Sequence, residues 1–252
     1  MILHPFLAEF IGTAILLLLG AGVVANINLK NTIAEGQTPW VLITSAWGFA
    51  VFVAVYISSQ SSGAHLNPAV TLGLYAAGKF SLSLVPGYLI AQLLGAMTGS
   101  WLAYLTYIDH YKMTTDENAV RSTFCTGPAI RNLKNNFFSE AIGTFMLVFG
   151  ALFIVGPNID IAGTEVQNFG IGSLDALPVG ILVWVIGIAL GGTTGYAINP
   201  ARDLGPRIVY QLLPRKNKNA DWGYAWVPVL GPVCGEIIPG LLYVLVTTGS
   251  LI

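Results

Sequence analysis

Asn-Pro-Ala occurs twice in this chain, in "SGAHLNPAV" (Ser62 to Val70) and in "TGYAINPAR" (Thr194 to Arg202), each time beside long apolar runs. Proline fits the first turn of a helix, where its missing N–H is not needed, and the asparagine before it is a good N-cap. Asn67, Pro68 and Ala69, like Asn199, Pro200 and Ala201, therefore read as helix starts: "NPAVTLGLYAAG" and "NPARDLGPRIVYQLL". Each such helix is too short to cross a bilayer. The lead-ins are Gly63, Ala64, His65 and Leu66 in the first copy, and Thr194, Gly195, Tyr196, Ala197 and Ile198 in the second. They are expected to be extended backbone at membrane depth, which is tolerated only in a protein interior or along a water-filled cavity. Their carbonyls would offer acceptors to a hydroxylated solute, and the two asparagine amides would offer donors. Leu66 and Ile198 would supply apolar wall. Two helix N-termini meeting there place positive dipole ends at one point, which repels protons and other cations.

Arg202 stands out among the charged residues, because an arginine at bilayer depth costs about 2.5–3.5 kcal/mol on insertion scales. Its mirror position is Val70, so the repeat does not demand it. It is expected to face a water-filled path as a hydrogen-bond donor and cation barrier. Glu9 and Glu140 occupy matching places in the first and fourth apolar runs and are expected to accept hydrogen bonds from the backbone N–H groups of the two lead-ins. Glu236 matches Ser100, and the sequence offers no account of it. The cysteines, Cys125 and Cys234, have no metal-ligand spacing and read as free thiols. His4, His65 and His110 are scattered. No metal site, no cofactor and no nucleophile–base arrangement is expected.

The elements that must position these residues span a membrane. Of the 252 residues, 54% are hydrophobic and 9% charged, against about 25% charged in a soluble domain. Mean hydropathy is +0.70. Six apolar runs, beginning at Phe6, Trp40, Val85, Phe137, Leu177 and Tyr224, each approach the ~20 residues that a span needs. A net charge of −1 gives no reason to expect nucleic acid. The first run is long, carries Glu9 and lacks a basic leader, so it does not read as a secretory signal.

The two halves match in order. "AEFIGT" (Ala8 to Thr13) answers "SEAIGT" (Ser139 to Thr144), and Tyr88, Gln92, Gly95 and Gly99 answer Tyr224, Pro228, Gly231 and Gly235. Three spans and one re-entrant segment per half force the halves into opposite orientations, with a site expected between them at mid-membrane. The expected fold is an all-α membrane protein of six tilted transmembrane helices plus two re-entrant half-helices. It is one channel domain over 1–252, with repeats at about 1–107 and 136–252 joined by a polar link over 108–135. Loops are expected at 26–39 and 156–176, and the tract "PRKNKNADWG" reads as a solvated loop. Gly95/Gly99, Gly187/Gly191 and Gly231/Gly235 are expected to allow close helix packing, and Trp101, Tyr104 and Trp226 to anchor span ends at the interface. Lys30, Lys112, Arg121, Arg131, Lys134, Arg215, Lys216 and Lys218 lie on the side away from the termini, and by the positive-inside rule would place the termini outside.

With "AEFIGT", "SGAHLNPAV" and the paired "NPAV" and "NPAR", the whole chain resembles the aquaporin and glycerol-facilitator family. The resemblance implies one pore per subunit, a homotetramer in membrane lipid and cytoplasmic termini, the last against the charge count. Asp203, after the second Asn-Pro-Ala-Arg, resembles the glycerol-conducting branch. By the family's pattern the narrowest ring falls on Trp47, Gly187, Tyr196 and Arg202. Water-selective members carry histidine where Gly187 stands, and glycine there implies a wider ring. Trp47 and Tyr196 would face a carbon backbone, and Arg202 with the loop carbonyls would face hydroxyls. Glycerol facilitators typically have phenylalanine at the place of Tyr196, and the extra hydroxyl leaves the ranking of solutes open. The function implied is passive diffusion of glycerol and similar small neutral solutes (dihydroxyacetone, urea, lactic acid and hydrogen peroxide also fit), with water, across a plasma membrane. The alternatives are a predominantly water-selective channel, against which Gly187 and Asp203 count, and a coupled secondary transporter. An enzyme is not expected.

Overall fold

The computed structural model describes residues 3–37, 40–156, 158–159, 167–168 and 170–248. The first half holds helices α1 (Pro5–Asn28), α2 (Trp40–Ser62), the short α3 (Pro68–Ala76) and α4 (Val85–Thr106). A link follows with α5 (Ile108–Met113) and α6 (Glu117–Ser122). The second half holds α7 (Leu133–Leu152), α8 (Leu177–Leu190), the short α9 (Pro200–Leu212), α10 (Trp222–Ala225) and α11 (Val227–Thr248). Between α7 and α8 two-residue strands β1 (Asn158–Ile159) and β2 (Gln167–Asn168) pair antiparallel. The loop expected over 156–176 otherwise lies partly outside the described residues. The first loop is shorter than expected, because α1 continues to Asn28.

Five helical stretches among the described residues are long and apolar enough to cross a membrane: Pro5–Asn28, Trp40–Ser62, Leu82–Thr106, Gly172–Leu190 and Trp222–Thr248. The chain is a multi-pass membrane protein. The remaining expected span, α7, has 20 residues, and Asn135, Asn136 and Glu140 in its first turns dilute its apolar character. Two of these groups are used inside the protein. Asn136 Nδ2 donates to the Ile130 carbonyl at 3.1 Å, and Glu140 is fully buried. Side chains such as Leu7, Phe49, Ile90, Val185 and Leu241 remain exposed, as suits helices whose outer faces meet hydrocarbon.

Packing repeats with the sequence. α1 lies on α4, α7 lies on α11, and α2 meets α8 between the halves. The glycine pairs explain how closely the first two couples approach. A Cβ at Gly95 or Gly99 would strike the backbone of Phe10 or Ala14, one at Gly235 the backbone of Ala141, and one at Gly231 the Cβ of Glu140.

The link is more than the polar loop expected. Tyr111, Val120, Phe124 and Cys125 are buried and form a second core with Tyr210, Leu213 and Ala220. Tyr104 belongs there too, 4.9 Å from Tyr111 between ring centroids, so it is a core residue and not an interfacial anchor. Burial pushes the Cys125 thiol up to about 12, which makes it inert. The basic tract after α9 is likewise tied down. Arg215 donates to the carbonyls of Tyr111 at 2.6 Å and Thr114 at 2.9 Å, and pairs with Glu117 at 2.7 Å.

Candidate functional site

The lead-ins have an unusual backbone. φ is positive at Gly63, Ala64 and Leu66, and again at Gly195, Tyr196 and Ile198. Side chains rarely adopt this conformation, and a β-branched residue such as Ile198 least of all. Each such residue costs on the order of 1–3 kcal/mol, so the surroundings must enforce it. Successive N–H groups in backbone of alternating hand converge into an anion-binding nest. Glu9 fills the first nest: its Oε1 accepts from His65 N at 2.9 Å and its Oε2 from Leu66 N at 2.7 Å. Ser62 Oγ and Gln92 Nε2 donate to the same carboxylate at 2.7 and 2.8 Å. Glu140 fills the second nest, accepting from Ala197 N at 3.0 Å and Ile198 N at 2.8 Å, with the Thr194 side chain a further partner. With the N–H groups turned to the carboxylates, the carbonyls are left to the other side.

These contacts give the doubled hexapeptide a physical reading. Glu and Gly stand three residues apart, on one helix face. A Cβ on Gly12 would lie 2.6 Å from Leu66 Cδ2, and one on Gly143 2.9 Å from Ile198 Cγ2. The glutamate holds the loop backbone while the glycine makes room for the loop's side chain.

The half-helices meet crosswise. Asn67 Oδ1 accepts from Ala69 N at 2.9 Å, and Asn67 Nδ2 donates to the Ile198 carbonyl at 2.8 Å. Asn199 Oδ1 accepts from Ala201 N at 3.0 Å and Arg202 N at 3.1 Å, while its Nδ2 donates to the Leu66 carbonyl at 2.9 Å. One N–H of each amide is thus spent on the opposite loop, leaving one per asparagine for anything else. Pro68 and Ala69, like Pro200 and Ala201, are buried helix starts.

A cavity of about 300 Å³ runs along this junction, lined by Gly63 to Asn67, Tyr196 to Asn199, Arg202, Trp47 and apolar side chains of α1, α2, α3, α7 and α8. The Arg202 guanidinium lies 4.2 Å from the centre of the Trp47 ring and forms no ion pair among the described residues. His65 Nδ1 is 3.1 Å from Thr71 Oγ1, with its ring against Phe80 and Tyr88. Gly187, Thr194 and Gly195 do not line the cavity. Thr194 lies behind the wall on Glu140.

Gly187 departs from the sequence expectation. It does not leave open width, because a Cβ there would lie 2.8 Å from Tyr196 Cζ and 2.9 Å from its Cε2. The Tyr196 ring occupies the space that the glycine vacates. Gly191 seats the same ring, and Thr44 and Trp40 of α2 also come close to this glycine pair, so it serves a loop side chain as well as the approach of α2 to α8. The Tyr196 hydroxyl is buried without a partner among the described residues.

Asp203, fully buried, pairs with Arg207 at 2.7 Å and accepts from the Thr126 N–H at 2.8 Å and hydroxyl at 2.7 Å. Arg207 also donates to the carbonyls of Thr126, Ala220 and Asp221. Asp203 therefore fastens the link to the start of α9. Arg207 was missed in the sequence, although its four-residue spacing from Asp203 was a usable signal. Ser62 and Thr126 carried no such signal, since their partners lie 53 and 77 residues away. Glu236 is buried on α11 against Gly73 of α3, with its Oε2 unpartnered among the described residues.

The chain is similar to known proteins over nearly its whole length. Residues 1–243 match the family model described as Major intrinsic protein. The "Probable glycerol uptake facilitator protein" of Thermotoga maritima is 49% identical over 239 residues, covering 94% of this chain and 97% of that one. The "Glycerol uptake facilitator protein 3" of Lactiplantibacillus plantarum is 50% identical over 238 residues, covering 94% of each. Among solved structures, the aquaglyceroporin from Plasmodium falciparum is similar with a TM-score of 0.78 at 35% identity, over 95% of this chain and 94% of that one.

Proposed function

The chain belongs to the major intrinsic protein family, and on that premise we propose that it is a passive channel for glycerol and similar small neutral solutes, with water also admitted. It is a channel and not an enzyme. The observation that carries this reading is the two-sided lining of the cavity. Trp47, Tyr196, Leu66 and Ile198 give apolar surface, while Arg202, the lead-in carbonyls and the remaining asparagine N–H groups give donors and acceptors. A polyol has the same two sides, with CH groups along one edge and hydroxyls along the other.

The mechanism needs no energy source. A solute enters in single file and exchanges water for the Arg202 guanidinium. It then passes along the carbonyls of one lead-in, the two asparagines and the carbonyls of the other. Each contact must be weak enough to release the solute. Cations meet Arg202, which has no carboxylate within ion-pair distance among the described residues, and the N-terminal ends of α3 and α9. Trp47, Tyr196, Arg202 and Gly187 form the selective ring in this reading, with Gly187 acting through the ring it seats. Swelling of proteoliposomes in a glycerol gradient tests the proposal: glycerol flux well above protein-free vesicles is expected, and water flux without glycerol flux overturns it.

Dihydroxyacetone, urea, undissociated lactic acid and hydrogen peroxide belong to the same proposed solute class, to be ranked by a flux panel. We place the protein in a plasma membrane with cytoplasmic termini, on the family resemblance. The count of Lys and Arg in the loops argues the other way, and reading the sidedness of the termini in intact cells decides between them. A homotetramer is proposed on the same ground, with native mass measurement expected to give four times the chain mass of 26.8 kDa.

A further inference from the structure

Tyr196 narrows the path, and no hydrogen bond fixes its ring, since its hydroxyl is unpartnered among the described residues. Contact alone holds it. One edge lies on Gly187 and another on Gly191, one turn further along α8. The third side is closed by Trp40, the first residue of α2, whose ring stands edge-on to Tyr196 at 5.9 Å and 78°. Trp40 Cζ2 lies 2.7 Å from where a Gly191 Cβ would stand, so both aromatic rings use the gap left by that glycine.

Trp40 is itself pinned. Its Nε1–H donates to the Gly187 carbonyl at 3.0 Å. That carbonyl also accepts Gly191 N–H at 3.2 Å, at the C-terminal end of α8. The indole therefore takes the second lone pair of a carbonyl in the last turn of a helix, where acceptors commonly go unfilled. It ties the start of α2 to the end of α8 at the height of the Tyr196 ring. Trp40 does not line the cavity, so any effect on solutes passes through Tyr196.

We propose that Trp40 is a positioning residue of the constriction: by pinning the end of α8 through the Gly187 carbonyl and closing the Tyr196 seat, it sets the size of solute that the gap between Tyr196, Trp47 and Arg202 admits. This rests on the reading of that gap as the solute path. The two sides of the seat act in opposite senses. Removing the indole lets the Tyr196 ring withdraw from the path, whereas adding bulk at Gly187, which meets Tyr196 and not Trp40, pushes the ring into it.

The test is a permeability ratio, a four-carbon polyol (erythritol) against glycerol, measured in proteoliposomes and normalised to water flux. Trp40→Ala is expected to raise the ratio by about threefold or more, with Trp40→Phe, which keeps a ring but loses the N–H, between it and wild type. Gly187→Ala is expected to lower the ratio. General damage would move all fluxes together and leave the ratio alone. If Trp40→Ala does not fold, the opposite shifts of Trp40→Phe and Gly187→Ala carry the test. Unchanged ratios in the folded Trp40 variants overturn the proposal. If wild type passes water but no glycerol, the proposed solute class falls instead, and the seat is judged by whether the Trp40 variants now admit glycerol; failure to do so overturns it as well.

Discussion

Glu9 accepts four hydrogen bonds under the first lead-in, two of them from side chains, Ser62 and Gln92. At the position matching Gln92, the second half has Pro228, which can donate nothing. Tyr88 donates its hydroxyl to the Ser62 carbonyl at 2.8 Å, while the matching Tyr224 hydroxyl has no partner among the described residues. The second lead-in is braced from outside the bundle. Asp203 and Arg207 bind the link at Thr126, and the Thr193 carbonyl accepts Ala129 N–H at 3.0 Å. A helix glutamate holds the backbone shape in both halves; the first half adds further donors from within the helices, and the second adds a brace from the polar connection. The externally braced copy is also the one that carries Tyr196 and Arg202. Freed from a fully internal support, it has room for residues that the repeat does not require.

That contrast can be broken most severely at the external brace. Asp203→Ala leaves the buried Arg207 unpaired and is expected to cost about 3–5 kcal/mol, read as a lowered unfolding temperature in detergent. A mild loss would mean that the carbonyls around Arg207 suffice and that the link is not a brace. Next come the nests. Glu9→Ala and Glu140→Ala both orphan two backbone N–H groups, but Glu9→Ala strands two side-chain donors, Ser62 and Gln92, against Thr194 alone for Glu140→Ala. It should therefore be the worse of the two by about 1 kcal/mol. Equal losses in the same melting assay would remove the asymmetry claimed for the internal supports. The smallest effects sharpen it further. Tyr88→Phe should cost about 1 kcal/mol for its lost hydrogen bond, while Tyr224→Phe should leave the melt unchanged. On the functional side, Arg202→Val removes a side chain with no ion pair among the described residues. It should barely shift the melt yet admit protons in a pH-gradient vesicle assay, and intact proton exclusion would assign the barrier to the helix termini alone.

How much of this was legible in the sequence follows the range of the interactions. The half-helices were readable because Asn and Pro act within one turn, and the nests because Glu9 and Glu140 recur with their loops. The seat of Tyr196 was not, since Gly187, Gly191 and Trp40 come from two helices that meet only in the fold. The link looked like plain polar loop because its apolar residues are too sparse for a periodic pattern. They become a core only when Tyr210 and Leu213 of the second half arrive. Arg215 read as solvated charge for the same reason, as its acceptors lie 98 to 104 residues earlier.

The crosswise asparagine bonds have a consequence for biosynthesis. They join residues 131 and 133 positions apart in the chain. When the first half leaves the ribosome, neither Asn67 Nδ2 nor the Leu66 carbonyl has its native partner, and a strained loop waits inside the bilayer. The latch closes only after the second half has been inserted upside down beside it. Neither half, made alone, can complete its own loop, so the two are committed to finishing as a pair.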